Sequence, residues 1–321
     1  MITDEVHRHA ADIQREFRDA QPFPHVVVEN FLQEDVCESL LRDFPVFDDK
    51  YAIDEHGSVG RKAVVEHVST ISSQYRAFYD YINSAPFLRT MSALTGIADL
   101  IADPTLFGGG THENRDGQGL NVHVDFNIDE RRMLHRRVNL LIYLNKEWDE
   151  SWGGSIELHS DPFSPAADRV RSFAPLFNRA LIFETSEFSW HGFSRIVLPP
   201  GKVHLSRKSF SIYLYTKDRP AEEIVAPHTT FYVGQSLPGH IKAGHTLSEG
   251  DLNEISNRLV ERDGLLRMYQ KLLIEKEQRL HDFVQLHQSG PLDIQVQKSR
   301  SWRIVMALHR FKYRVLHPSI K

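Results

Sequence analysis

Residues 121–126, NVHVDF, lead through a charged turn into residues 137–145, RVNLLIYLN. The first stretch alternates polar and apolar side chains, the period of a strand with one buried face. The second is apolar on both faces at its middle, as in a strand covered on both sides. Further short runs surround this pair: GGSIELHS (153–160), RALIFET (179–185), SWHGFSRIVL (189–198) and RKSFSIYLYT (207–216). Clusters of Gly, Pro, Asn and Asp separate them, which is the punctuation of a sandwich or jelly roll. The expected fold class is therefore α+β with a mainly β core: a double-stranded β-helix, jelly-roll and cupin-like.

Helical patterns flank this core. LQEDVCESLLRDF (32–44) puts Leu32, Val36, Leu40 and Leu41 on one face. SSQYRAFYDYINS (72–84) and PFLRTMSALTG (86–96) read as further N-terminal helices, and HVVVENF (25–31) as a strand. After the Pro-containing stretch 215–228, Leu252, Ile255, Leu259, Leu266, Leu273 and Leu280 recur at helix-compatible spacing, with Thr246 or Ser248 as the cap. This predicts a long amphipathic helix, a helical hairpin or a coiled coil. The expected division is a core over 1–220 and a helical extension over 221–321. The extension ends in a basic tail, 298–321, striped by Ile304, Leu308, Phe311 and Val315.

The 321 residues suffice for a large core, and the net charge of −5 argues against a nucleic-acid binder. Cys37 is the one cysteine, which excludes an internal disulfide and Cys-based zinc sites and fits a reducing compartment. No secretory signal or membrane span is read, so a cytoplasmic protein is expected.

Side chains at i and i+2 of a strand share a face, so His123 and Asp125 can reach one metal ion. His191, in SWHGFS, supplies a third ligand from a distant strand. Two imidazoles and one carboxylate are the facial set of non-haem Fe(II) sites, which leaves the opposite positions open. His159 and Asp161 repeat the H-x-D spacing, but they abut a proline turn and are read as structural. On RKSFSIYLYT the alternation places Arg207, Ser209 and Ser211 together. A guanidinium there can hold a carboxylate through two parallel hydrogen bonds, with Ser209 as an added donor and Lys202 and Lys208 as lesser candidates. Period-2 spacing groups Arg137, Asn139, Leu141 and Tyr143. Gly153 and Gly154 are read as a tight turn or a close backbone approach.

Taken in order, HVD, RRVNLLIYLN, WGGSIEL, HGFS and RKSFSIYLYT resemble the prolyl 4-hydroxylase-like group of Fe(II)/2-oxoglutarate dioxygenases. The resemblance covers roughly residues 22–217. It implies Fe(II), 2-oxoglutarate as cosubstrate and O₂, with ascorbate as a candidate reductant. It also implies that Arg207 and Tyr143 bind the far carboxylate of 2-oxoglutarate, with Asn139 contacting the cosubstrate nearer the metal. The spacing from His191 to Arg207 is longer than in the most compact members. Related halogenases lack the carboxylate ligand, so Asp125 implies hydroxylation.

The substrate is not named by any motif. The Gly-rich loop 108–121 is a candidate lid. Arg131, Arg132, Arg136 and Arg137 form either a solvated turn or a handle for an anionic group. The basic tail suggests peripheral membrane contact or a packing helix, and the long helix suggests homo-oligomers. A small metabolite or a glycan- or lipid-linked precursor is therefore the expected substrate. A prolyl residue of a protein is the alternative, and a non-catalytic metal-binding scaffold protein is a second alternative.

Overall fold

The structure is a computed structural model that describes residues 1–48, 63–164, 166–234, 237 and 239–288. The basic tail with its apolar stripe lies outside the described residues. Contacts divide the chain into two units, Met1–Arg258 and Leu259–Lys321.

Among its described residues the first unit holds thirteen strands: β1 (His25–Val28), β2 (Ala63–Val65), β3 (Ile101–Ala102), β4 (Gly110–Asn114), β5 (Leu120–Val124), β6 (Ile128–Asp129), β7 (Leu134–Tyr143), β8 (Ile156–His159), β9 (Val170–Phe173), β10 (Ala180–Glu184), β11 (Trp190–Phe193), β12 (Arg207–Thr216) and β13 (Phe231–Tyr232). They make two antiparallel sheets. The larger runs β1-β10-β7-β12-β4-β2, with β3 beside β12 and β6 beside β7. The smaller runs β13-β5-β11-β8-β9. These are the two sheets of the expected double-stranded β-helix.

Helices α1 (Asp4–Arg8), α2 (Ala10–Asp19), α3 (Glu34–Arg42), α4 (Ser73–Ile82) and α5 (Ala85–Thr95) cover the larger sheet. Ser72 and Ser84 cap α4 and α5 by accepting from Tyr75 N and Phe87 N, and α5 ends at Gly96 in a left-handed conformation. Val138, Leu140, Ile142, Phe210, Ile212 and Leu214 face this helical layer and bury against Phe17, Leu40, Phe78, Phe87 and Met91. The opposite faces of β7, β10 and β12 look into the space between the sheets, where Tyr143, Leu181 and Phe183 pack on Ile156 and Leu158. One alternation thus assigns each central strand a core face and a site face.

The alternation fails at one point. Arg137 was expected beside Asn139, but Arg136 is the one that lines the cavity with Asn139. The register shifts between Leu214 and Tyr215 of β12 opposite this part of β7, and Arg136 N is drawn off to Asn127 O (2.9 Å). Such an irregularity re-aims the side chains beyond it.

The C-terminal pattern is one continuous helix, α6 (Glu249–Gln288), not a hairpin over those residues. No helix among the described residues is long and apolar enough to cross a membrane.

Candidate metal and cosubstrate site

β5 and β11 are neighbours, and their register sets His191 directly opposite His123. The two rings stand 4.3 Å apart, and Asp125 follows just beyond the end of β5. Close approach of these strands requires Gly192. A Cβ at that position would stand 2.7 Å from Leu120 O and 2.9 Å from Val122 N, both backbone atoms that cannot swing aside.

Each imidazole is oriented by its own chain. His123 Nδ1 lies 2.8 Å from Asn121 O, and His191 Nδ1 lies 2.8 Å from Ser189 O. A carbonyl oxygen only accepts, so both Nδ1 atoms carry the proton and both Nε2 atoms keep their lone pairs. The two Nε2 atoms point at Asp125, 3.8 Å and 3.6 Å from its oxygens. One donor atom from each residue lies within 4.8 Å of the others, so the three can hold a metal ion. Burial pushes the His191 imidazolium down and keeps the ring neutral. Burial works the other way on Asp125, but the Arg136 guanidinium, helped by the Asn139 hydrogen bond, overcomes it and holds the carboxyl well below the usual range. Two neutral nitrogens and one anionic oxygen are the donor chemistry of a non-haem Fe(II) site.

Arg136, read in sequence only as part of the arginine turn, has a role that sequence reasoning missed. It is 2% exposed, lies 3.1 Å from Asp125 Oδ2, and donates to Asn139 Oδ1 through Nε (3.0 Å) and Nη2 (2.9 Å). Its guanidinium sits over the Tyr213 ring at 3.6 Å and the Phe126 ring at 4.7 Å. Asn139 Nδ2 donates to the same Asp125 oxygen at 2.8 Å. Both ends of the Asn139 amide are therefore engaged by Asp125 and Arg136, unlike the cosubstrate contact expected of it. Asp125 Oδ2 is pinned, and Oδ1 is left facing His123.

At the other end of the cavity Arg207 is 4% exposed. Its Nε donates to Gly154 O (2.7 Å), its Nη2 donates to Tyr143 Oη (3.2 Å), and the Phe193 ring lies 4.2 Å away. Gly154 takes a positive φ of 72°, and an added Cβ would press on Ile196 and Trp148 at 3.0 Å; this is the close approach read from the glycine pair. Among the described residues no carboxylate comes within 4.0 Å of Arg207. Burial pushes its pKa down, as for a cation without a counter-charge. A buried, uncompensated guanidinium of this kind fits an anionic ligand. Ser209 and Ser211 are buried on the same face of β12, and both line the cavity of about 290 Å³ shared with the His–Asp–His cluster.

Two of the remaining arginines of the 129–137 turn pair with carboxylates of the protein. Arg132 pairs with Asp129 (2.6 Å) and Asp103 (3.3 Å), and Arg137 pairs with Glu184 (2.8 Å). Arg131 is exposed. Of the two readings offered for this turn, the anion handle loses Arg132 and Arg137 to carboxylates of the protein itself.

A further wall was not legible in sequence. Tyr232 on β13 pairs in register with His123, 5.1 Å from its ring, and Thr229 and Thr230 complete that side of the cavity. This segment is tied down by His228 Nε2 to Glu187 Oε1 (2.9 Å) and by Asn127 Nδ2 donating to Ala226 O (3.0 Å). His159, the second H-x-D histidine, is held between Asp168 (2.7 Å) and Glu157 (3.5 Å), outside the cavity.

Residues 109–215 match the model of the 2OG-Fe(II) oxygenase superfamily. Prolyl 3-hydroxylase OGFOD1 of Mus musculus is 24% identical over 232 residues, which cover 71% of this chain and 38% of that protein. Its Xenopus laevis counterpart is 39% identical over 72 residues, covering 22% of this chain and 14% of that one. The chain thus spans well under half the length of these curated relatives. Among solved structures, a Trichoplax adhaerens prolyl hydroxylase in complex with a hypoxia inducible factor peptide fragment aligns at TM-score 0.47 and 16% identity, covering 67% of this chain and 94% of that one. The matched stretch carries His123, Asp125, His191 and Arg207 together. That stretch, about a third of the chain, is similar to the 2OG-Fe(II) oxygenases, and its His–Asp–His cluster can hold the metal ion that their description names.

Proposed function

We propose that the protein hydroxylates a prolyl residue of a polypeptide, with His123, Asp125 and His191 as the iron ligands and Arg207 as the anchor for 2-oxoglutarate. The observation that carries the cofactor assignment is the pairing of a neutral-imidazole and carboxylate cluster with an uncompensated buried guanidinium in one cavity. With both bound, the iron and cosubstrate supply oxidative decarboxylation coupled to insertion of an oxygen atom into a C–H bond.

The chain itself does the rest. Arg207 binds the far carboxylate, and Tyr143 Oη, already within hydrogen-bond distance of Arg207, adds a donor to it. Ser209 lies on the same cavity wall as an added donor. Arg136 and Asn139 fix Asp125 so that one oxygen is offered to the metal. Phe107, Phe126 and the 229–232 segment exclude water from the mouth. The catalytic portion, 1–220 by sequence, takes in that segment as well.

Two features support a polypeptide over an anionic metabolite. The curated relatives are prolyl hydroxylases. Among the described residues the arginines lining the cavity are Arg136, committed to Asp125, and Arg207, so none of these leaves a further guanidinium for a substrate anion. Incubation with a panel of proline-containing peptides and with small metabolites tests this. Succinate release stimulated by a peptide that gains one oxygen atom on proline is expected. Stimulation by metabolites alone overturns the polypeptide assignment.

We also propose that α6 joins copies of the chain. Leu252, Leu259, Leu266, Leu273 and Leu280 recur at every seventh position and are 52%, 44%, 60%, 59% and 40% exposed. That period keeps one stripe facing a partner helix in a left-handed supercoil.

A further inference from the structure

A second cluster of metal-ligating side chains lies outside the cavity. His240 Nε2 is 2.7 Å from Asp251 Oδ1, and His245 Nε2 is 3.0 Å from Asp251 Oδ2. The two rings are 5.6 Å apart and meet at 80°. One donor atom from each of the three residues falls within 4.8 Å of the others, which is the same closeness found at His123, Asp125 and His191.

Helix capping explains only part of this arrangement. Ser248 and Asp251 form a reciprocal cap of α6: Asp251 N donates to Ser248 Oγ (3.2 Å), and Ser248 N donates to Asp251 Oδ2 (2.8 Å). Ser248 Oγ donates to the same carboxylate oxygen at 2.8 Å. The cap is complete without either imidazole. Yet two histidines, 55% and 31% exposed, converge through the same ring nitrogen on one carboxylate that is only 11% exposed. Hydrogen bonds from His240, Ser248 and His245 hold that carboxyl well below the usual range, so it stays an anion.

We propose that His240, His245 and Asp251 form a second, structural metal site that takes Zn²⁺ or a similar borderline divalent cation. Two imidazoles and one carboxylate suit zinc, with water as the fourth ligand. Donors about 2.0–2.1 Å from a tetrahedral ion stand about 3.4 Å apart. The hydrogen-bonded contacts therefore need to open by only about half an ångström, and the exposed rings are free to move by that much. When the ion binds, the neutral rings carry their protons on Nδ1 towards solvent, and Nε2 binds the metal. No net proton release is required from neutral histidine.

The site has a structural use. Among the described residues from Val233 to Leu247 there is no helix or strand. The upstream end of this stretch carries Tyr232 against His123, and its downstream end is the cap of α6. A metal tie between His240, His245 and Asp251 secures that connection by coordination, where apolar burial is scarce.

The test is zinc stoichiometry of the metal-free full-length chain by native mass spectrometry, with folding of each variant checked by circular dichroism. Wild type is expected to hold two ions, one at each cluster. Asp125→Ala, His245→Ala and His240→Gln are each expected to hold one, and Asp125→Ala combined with His245→Ala none. Cobalt gives an independent readout, because four-coordinate Co²⁺ absorbs far more strongly in the visible than six-coordinate Co²⁺. The intense band should vanish in His245→Ala and persist in Asp125→Ala. A wild-type chain that saturates with one ion, or histidine variants that still take two, would overturn the site and leave a hydrogen-bonded helix cap only.

Discussion

At the scale of single residues, the proposed function gives Asp125 the metal and Arg207 the cosubstrate, and the two roles can be disturbed separately. Arg136 and Asn139 occupy one Asp125 oxygen. Outer partners of a metal ligand typically contribute 10–100-fold in affinity. Arg136→Met, which keeps an unbranched side chain beside Tyr213 and Phe126 but removes the charge, is expected to weaken Fe(II) binding by about that factor. Its Michaelis constant for 2-oxoglutarate should change little; equal loss of both affinities would remove the proposed division. Arg207→Lys should do the reverse. An ammonium cannot reproduce the paired donors of a guanidinium, and losing one charge-assisted hydrogen bond costs about 1.5–3 kcal/mol. The Michaelis constant for 2-oxoglutarate should rise about 10- to 100-fold with Fe(II) affinity retained. His123, Asp125, His191 and Arg207 could be picked out of the chain because their chemistry is type-specific and their spacing follows strand periodicity. Arg136 could not. Its place beside Asn139 depends on a register shift that lies in the pairing of β7 with β12, not in either strand's own sequence.

Individual elements show the same boundary between local pattern and tertiary pairing. From Val138 to Leu144 and from Arg207 to Leu214 the alternation is so regular that core and cavity faces follow from counting, and it fails only beyond them, at Arg137. β13 has two residues and gains its identity only by lying against β5. No periodic signal exists in so short a strand. Gly192 sits in a motif that could be quoted from sequence, yet its necessity appears only where β11 meets the backbone of β5. Gly192→Ala forces the two strands apart and separates His191 from His123. A stability loss of about 1–3 kcal/mol is expected, with a parallel fall in Fe(II) affinity; isothermal titration beside thermal melts would check both. Unchanged metal affinity would mean that the strands can absorb the methyl group elsewhere.

For the whole molecule, stability and assembly rest on groups far from the cavity. Burial disfavours a charged His159, but Glu157 and Asp168 more than offset it and raise its pKa above the ordinary value. A raised folded-state pKa contributes stability below the unfolded value, about 6.5, and that contribution is lost as pH rises through the folded value. His159→Gln should therefore destabilise the protein more at about pH 6 than at about pH 8.5. Melting curves of both forms at the two pH values give the comparison, and an equal deficit would show that the ring is neutral in the fold. In α6 the leucine stripe predicts self-association. Sedimentation velocity should show a wild-type oligomer that dissociates in Leu266→Glu/Leu273→Glu, and a monomer at all concentrations would contradict it. Which partner covers such a helix is invisible in a single sequence, since the heptad period specifies supercoiling and not its occupant.

The most direct test of the iron and 2-oxoglutarate assignment is an anaerobic titration of the metal-free protein with Fe(II) and then 2-oxoglutarate, followed by visible absorption. A weak metal-to-ligand charge-transfer band should appear only when both are present, and it should require a higher 2-oxoglutarate concentration in Arg207→Lys. A folded protein that binds Fe(II) yet gives no band at saturating 2-oxoglutarate, or an Asp125→Ala variant whose band is unchanged, would contradict the assignment.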